Sequence, residues 1–310
     1  MKNEKTMKDD LGDRMKLYER AESGRRLMPL LPVLARIDGR AFHSFTRGME
    51  RPFCATLSAC MVDTTAALVR DTGACIGYTQ SDEITLAWHS GNHKSKIWFD
   101  GRVAKMTSQL AAQATLIFYR AVLERMPLYA ERLPTFDARV WSVPTRSEGA
   151  NVFLWREFDA TRNSVSMAAE AYYSHKQLHG KNSREKQEML FQKGINWNDY
   201  PAFFKRGTYV QLRTIAIPFS ADELDNLPPK HESRANPALI VERQVCTVLD
   251  MPPLCTVANR EAVIFDMAEP EAARIASTST PTCTRCEEND DEKRCRYKKE
   301  SDSEQTEKTR

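Results

Sequence analysis

The sequence lacks any long apolar run and any apolar leader. No hydrophobic stretch among its 310 residues approaches the roughly 18–20 residues that a membrane-spanning helix needs. Its first sixteen residues, MKNEKTMKDDLGDRMK, are polar and charged, so they lack the apolar segment of a secretory signal peptide. We therefore expect a cytoplasmic protein with no membrane partner.

The sequence also has little excess charge of either sign. Its 45 Lys and Arg residues against 42 Asp and Glu residues give a formal net charge of +3. This value is compatible with binding to nucleic acid but is too small to indicate it.

Large apolar residues are nearly absent from residues 277–310, which cannot bury enough surface to offset the entropy of ordering. We predict a disordered charged tail. It carries Cys283, Cys286 and Cys295, the first two in a Cys-x-x-Cys spacing. Three cysteines can begin a zinc site, whereas four ligands close one, so a zinc site and simple tail thiols both stay open.

The remaining pattern predicts the element order β-α-β-β-α-β. Apolar runs predict strands at 31–38, 74–79, 83–88 and 136–143, and helical spacing predicts helices from Pro52 to Gly73 and over 99–125. This order is typical of the α+β, ferredoxin-like (βαββαβ) unit, which is also the core of palm-type polymerases and nucleotide cyclases. We predict a palm-like catalytic domain over 1–145. An appended α/β lobe over 146–276 begins with helices at 148–173 and 182–193 and packs on the palm.

Two aspartates are expected to converge in this topology. The first and third strands of the unit are antiparallel neighbours, so Asp38, which ends the first, lies beside Asp82, which precedes the third, although 44 positions separate them. Two close carboxylates repel each other unless a cation lies between them. Mg²⁺ prefers oxygen ligands of this kind, and a site of this kind can hold two such ions. The carbonyl of Gly39 is a further candidate ligand. Taken singly, Asp-Gly is usually a turn and Ser-Asp-Glu a solvated hairpin.

The turn after the first strand has the composition of a phosphate site. The backbone N–H groups of Gly39, Arg40, Ala41, Phe42 and His43, with the side chains of Arg40 and His43, are candidates to bind a triphosphate. Lys105 on the second long helix is a candidate for the same phosphates, and a solvated helix lysine is the alternative.

Five blocks of sequence together resemble the tRNA-histidine guanylyltransferase family. In chain order they are ARIDGRAFHSFTRG, IGYTQSDEITLAW, FDARVWSVPT, NVFLWREFDATRNS and EMLFQKGINWNDYPAFFKRGTYV, within residues 10–215. Their order and number make the resemblance far more specific than any single motif.

The resemblance implies an enzyme that adds nucleotides to the 5′ end of tRNA, in the 3′–5′ direction. The resemblance also implies that ATP activates the 5′ end of the RNA, or that a triphosphate already present there takes the place of this activation. The 3′-hydroxyl of GTP then attacks the activated 5′ end. By this match Asp38 and Asp82 are catalytic, and with Gly39 they hold two Mg²⁺ ions. The stretch from Asp38 to His43, with Ser81, Asp82 and Lys105, binds nucleotide. A homotetramer is implied as well.

One block departs from the family pattern. Members from eukaryotes carry His-Ile-Asn-Asn-Leu-Tyr-Asn after Trp-Arg-x-x-Asp, whereas residues 160–167 here read ATRNSVSM. This stretch resembles the guanylyltransferase-like branch, which is associated with template-dependent repair of tRNA 5′ ends. Dedicated, non-templated addition to histidine tRNA is the alternative.

Basic residues near aromatics in the appended lobe are candidates for RNA contact. They are Arg162, Asn163, Lys176, His179, Lys181 and Lys205. The alternatives are a solvated helix face and, beside Lys205, a core aromatic pair. Two other functions also remain: a nucleotide cyclase, which lacks the later blocks, and a catalytically silent tRNA-binding protein, which has no need for converging carboxylates.

Overall fold

The computed structural model describes residues 10–236 and 238–273. Its helices are α1 (Asp10–Ser23), α2 (Phe42–Phe45), α3 (Ala55–Thr72), α4 (Val103–Arg125), α5 (Pro127–Ala130), α6 (Arg146–Glu170), α7 (His175–Leu178), α8 (Ser183–Gln192), α9 (Ala202–Arg206), α10 (Ala221–Asn226), α11 (Glu232–Ala235) and α12 (Arg260–Asp266). Its strands are β1 (Val33–Gly39), β2 (Ile76–Gln80), β3 (Glu83–Trp88), β4 (Phe136–Ser142), β5 (Thr208–Pro218) and β6 (Ile240–Val248). The elements predicted up to residue 143 are all present, with shifts of a few residues at their ends.

The strands form one six-stranded antiparallel sheet in the order β4-β1-β3-β2-β5-β6. β1 lies at the centre of the first four strands because its residues are apolar on both faces. Val33, Ala35 and Ile37 face one side, and Leu34 faces the other. The predicted mixed α+β class is confirmed.

Helices cover both faces of the sheet. α3 and α4 pack on one face, where Leu68, Leu110 and Phe118 join the larger core. α6 and α12 pack on the other face, where Phe153 and Val263 are fully buried. The centre of the sheet is therefore dry.

α6 is the longest described helix and organises the second half of the chain. Its start is capped by the Thr145 hydroxyl, which accepts from the Glu148 N–H at 3.1 Å. α8 packs on it and begins with a capping box, in which Asn182 and Glu185 each accept from the other's backbone N–H at 2.9 Å. α9 packs on α6 as well. α6 thus reaches from the sheet to the segment around residues 175–181.

The sheet continues across the predicted boundary at residue 145. β5 pairs with β2 through residues 77–79 and 208–210, and β6 pairs with β5. Contacts within the chain group residues 10–236 and 238–273 as one unit. The division into domains 1–145, 146–276 and 277–310 stays a prediction. The tail, with Cys283, Cys286 and Cys295, lies outside the described residues.

The helix α1 lies at the start of the described residues, but its apolar face does not pack. Leu11, Met15 and Tyr18 on α1 are 59%, 46% and 60% exposed. Across residues 10–236 and 238–273, each helix is too short or too polar to cross a membrane.

Candidate active site

The structure brings Asp38 and Asp82 to the same edge of the sheet. β1 and β3 are antiparallel neighbours, and Asp38 stands opposite Glu83 in their register. The Gly39 N–H donates to the carbonyl oxygen of Asp82 at 3.0 Å, which fixes the end of β1 against the β2–β3 hairpin. Asp137 of β4 stands opposite Asp38 on the other side. The edge therefore gathers acidic residues from three strands.

The pKa values of two carboxylates at this edge are shifted by burial and by neighbouring charges. Burial, with a smaller contribution from the charge of Asp38, raises the pKa of Asp82 to about 6, although hydrogen bonds from its own backbone and from Ser81 oppose the shift. Burial also raises the pKa of Glu83, and the nearby Arg156 guanidinium opposes that shift. Both shifts mark carboxylates whose negative charge is poorly solvated by water.

The turns that carry these residues have unusual backbone conformations. Ala41 after β1 and Ser81 in the hairpin have φ of 54° and 55°, in the left-handed region that non-glycine residues rarely adopt. A Cβ on Gly39 would lie 2.3 Å from the Phe42 ring, so only glycine fits there. Such strained residues persist where the surrounding structure holds them, and they concentrate at functional sites.

The predicted phosphate turn divides into exposed and buried residues. Arg40, Ala41 and His43 are exposed, and the Arg40 N–H is occupied by the Thr135 carbonyl at 2.8 Å. Phe42 is only 4% exposed, because its ring packs in an aromatic cluster with Phe45, Phe118 and Phe136. The Phe42 side chain is therefore core, and only its backbone is available to a nucleotide.

Lys105 lies in the first turn of α4, with its ammonium 5.8 Å from the centre of the Phe99 ring. Phe118, thirteen residues and so about 20 Å further along α4, is the residue that packs on Phe42. The role of Lys105 in binding the phosphates stays a prediction.

Sequence reasoning missed an ion-pair network behind the hairpin. Arg156 of α6 is 5% exposed and pairs with Glu83 and, at 2.8 Å, with Asp159. Arg162 pairs with Asp159 at 2.6 Å on the exposed side. Arg36 lies 3.5 Å from Asp38 and 4.0 Å from Glu83. The Trp-Arg-x-x-Asp block was the available signal, since its Arg and Asp share one helix face.

A cavity of about 280 Å³ opens between the hairpin and α6. It is lined by residues 80–83 and by Asn163, Ser166, Met167 and Glu170. The structure thus brings one predicted RNA-binding residue, Asn163, next to Asp82.

The other predicted RNA-binding residues lie further along the second half of the chain. Lys181 pairs with Glu185 at 2.8 Å, and Lys205 donates to the Asn198 carbonyl. Burial lowers the pKa of Lys205, and Arg206 adds to this shift. Exposed cationic or imidazole side chains remain at Arg162, Lys176, His179 and Lys181. Their role in RNA binding stays a prediction.

Known proteins share both the sequence and the fold. A family model described as tRNAHis guanylyltransferase matches residues 12–144. A bacterial tRNAHis guanylyltransferase-like protein, solved in complex with ATP, is 34% identical with a TM-score of 0.67, over 82% of this chain and 97% of that one. A structure of such a protein in complex with GTP is 31% identical with a TM-score of 0.61, over 80% and 94%.

Similarity extends to proteins whose activity is named. The tRNA(His) guanylyltransferase of Schizosaccharomyces pombe is 29% identical over 63% of this chain and 77% of its own length. The fold and the matches together define an enzyme of the nucleotide-transferring class. The chain belongs to the tRNAHis guanylyltransferase family.

Proposed function

We propose that the protein adds nucleotides from GTP to the 5′ end of a tRNA, in the 3′–5′ direction, with Asp38 and Asp82 holding catalytic Mg²⁺. The observation that carries this proposal is the convergence of the two aspartates at one sheet edge, fixed by the 3.0 Å bond between the Gly39 N–H and the Asp82 carbonyl. The names of its relatives support the choice of RNA and nucleotide.

The element order supports assigning the first part of the chain as a ferredoxin-like palm. β1, α3, β2, β3, α4 and β4 follow one another, and their strands lie in the order 4-1-3-2 with both long helices on one face. A palm of this kind presents the ends of its two central strands to substrate, which is where Asp38 and Asp82 lie.

The residues present fit magnesium. The donor set is two carboxylates and nearby backbone oxygens, which are the hard oxygen ligands that Mg²⁺ prefers. Among residues 10–236 and 238–273, no group of three or more His, Cys, Asp or Glu side chains is arranged to hold a metal. This suits Mg²⁺, which keeps waters and takes substrate phosphates as ligands, better than zinc. When bound, two such ions lower the cost of charge on the attacking and leaving oxygens.

The chain's own residues position the substrates. The exposed side chains of Arg40 and His43 and the backbone at Ala41 lie beside the aspartates and bind the triphosphate. The 3′-hydroxyl oxygen of GTP forms a bond to phosphorus at the activated 5′ end. The bond to AMP or pyrophosphate then breaks. Because helices cover both sheet faces, this reaction is confined to the open edge.

We further propose that addition is template-dependent repair, because residues 160–167 depart from the eukaryotic pattern. A homotetramer is the proposed assembly, which light scattering of the purified protein tests. Dedicated, non-templated addition to histidine tRNA is the second candidate, which the printed names of the relatives favour.

The test uses purified protein, Mg²⁺, ATP, labelled GTP and two transcripts. One is histidine tRNA without its extra 5′ nucleotide, and the other is a different tRNA shortened by one nucleotide opposite a templating base. Asp38→Ala should lower addition more than about 100-fold, because several kcal/mol of charge stabilisation is lost. Asp13→Ala on the exposed α1 is the matched control. Wild-type rates in Asp38→Ala would refute the site, and preference for histidine tRNA would refute templated repair.

A further inference from the structure

The chain between α5 and β4 contacts the segment that follows the proposed phosphate turn. Arg132 donates from its Nη1 to the carbonyl oxygen of Phe45 and, at 2.7 Å, to that of Arg47. Tyr129 donates from its hydroxyl to the carbonyl oxygen of Gly48 at 3.2 Å. These three bonds fix the chain where α2 ends, directly after the residues that are proposed to bind the triphosphate.

The start of the phosphate turn is bonded to the same part of the chain. The Arg40 N–H donates to the Thr135 carbonyl at 2.8 Å. Residues 129–135 therefore hold the turn on both sides, at Arg40 before α2 and at Phe45 after it. Between these points Ala41 has φ of 54°, a conformation that costs a non-glycine residue energy and persists only where the surrounding structure holds it.

The guanidinium of Arg132 is itself held in place. Its central carbon lies 4.5 Å from the centre of the Tyr129 ring, within the range of a cation–π contact. The rings of Phe42 and Phe45 are buried and hold one face of α2 against the core. Arg132, which is exposed, holds the backbone carbonyls at the other side of α2. Its contacts thus bear on the phosphate turn more than on the core.

We propose that Arg132 is a positioning residue, which holds the phosphate turn in the conformation that receives the triphosphate. It acts through the carbonyls of Phe45 and Arg47 and not by contact with the nucleotide. The inference rests on the proposed function, which assigns the phosphates to this turn. The edge that carries the aspartates is fixed separately, by the pairing of β1 with β3 and by the bond from the Gly39 N–H to the Asp82 carbonyl. Loss of Arg132 should therefore weaken phosphate binding and leave the chemical step intact.

The test compares the full-length wild-type protein with three variants and a control. Arg132→Met keeps an unbranched stem and removes the donors, Arg132→Lys keeps a charged donor, and Tyr129→Phe removes only the bond to Gly48. Arg120→Met on the exposed side of α4 is the matched control. Three quantities are measured in Mg²⁺: kcat and KM for GTP in addition to the two transcripts, the Kd of inorganic tripolyphosphate, and hydrogen–deuterium exchange of the backbone amides.

Arg132→Met should raise the KM for GTP and the Kd of tripolyphosphate about tenfold, the equivalent of about one hydrogen bond, and change kcat by less than about twofold. Exchange should quicken over residues 40–49 and stay unchanged over β1 and β3. Arg132→Lys should recover most of the affinity, because its ammonium can donate to the same carbonyls. If Arg132→Met fails to fold, Tyr129→Phe gives the same comparison with a loss of about two- to threefold.

A fall in kcat at constant KM, or faster exchange throughout the chain, would overturn the positioning role, because either result marks damage to the chemical step or to the whole fold. Losses in Arg120→Met as large as those in Arg132→Met would do the same. If wild-type protein adds nucleotides and the variants match it in every measurement, the positioning role is wrong and the proposed function stands. If Arg132→Met loosens residues 40–49 and loses tripolyphosphate affinity, but wild-type protein adds nothing to either tRNA, the positioning role stands and the proposed function fails.

Discussion

Replacing Arg156 should destabilise the fold far more than replacing Arg162, although both pair with Asp159. Arg156→Met removes the partner of two partly buried carboxylates, because the side chains of Glu83 and Asp159 are 23% and 29% exposed. Removing one member of a fully buried pair costs about 3–5 kcal/mol. Partial exposure of both carboxylates reduces this to about 2–3 kcal/mol, since water screens part of the charge.

Arg162→Met is the matched control. The Arg162 side chain is 56% exposed and pairs only with Asp159, so its loss should cost about 0–1 kcal/mol. In a domain of this size 1 kcal/mol shifts Tm by about 2–4 °C. The Tm should therefore fall by about 4–12 °C for Arg156→Met and by at most about 4 °C for Arg162→Met. Equal shifts would refute the assignment of Arg156 as the support of the hairpin.

Three further substitutions test other parts of the structure. Gly39→Ala should cost about 1–3 kcal/mol in chemical denaturation, because the new Cβ meets the Phe42 ring at 2.3 Å; an unchanged midpoint would contradict the close approach. Burial raises the pKa of Glu157, so its contribution to stability is present at low pH and is lost as pH rises through that raised pKa. The unfolding free energy of wild type relative to Glu157→Gln should therefore fall from pH 4.5 to pH 8, and a constant difference would refute it. Met15→Ala on α1 should change the unfolding free energy of the monomer by less than about 0.5 kcal/mol, and a larger loss at low protein concentration would show that the α1 face packs within the chain.

The strands and their convergence could be read from the sequence because each depends on local pattern plus one topological rule. The run from Leu31 to Asp38 is apolar and ends in a carboxylate, and the β3 residues Ile84, Leu86 and Trp88 alternate. Once the order β-α-β-β-α-β is assumed, the antiparallel pairing of the first and third strands places Asp38 beside the hairpin. The structure has that register.

The contacts that could not be predicted from the sequence depend on how far a helix extends and how it is rotated against the sheet. Helical spacing shows which residues of α4 share a face, but only packing shows which end of the helix approaches Phe42. It also cannot tell that Arg156 reaches Glu83 across 73 positions while its neighbour Trp155 is 47% exposed.

The pairing of β2 with β5 makes the first half of the chain unable to stand alone. A chain cut after residue 145 would expose the N–H and C=O groups of β2 as an open sheet edge, a template for aggregation. It would also lose α6, which covers Leu34 and Tyr78. A fragment ending there should be recovered as insoluble material. Co-expression with residues 146–310 should restore solubility by supplying the missing strand in trans.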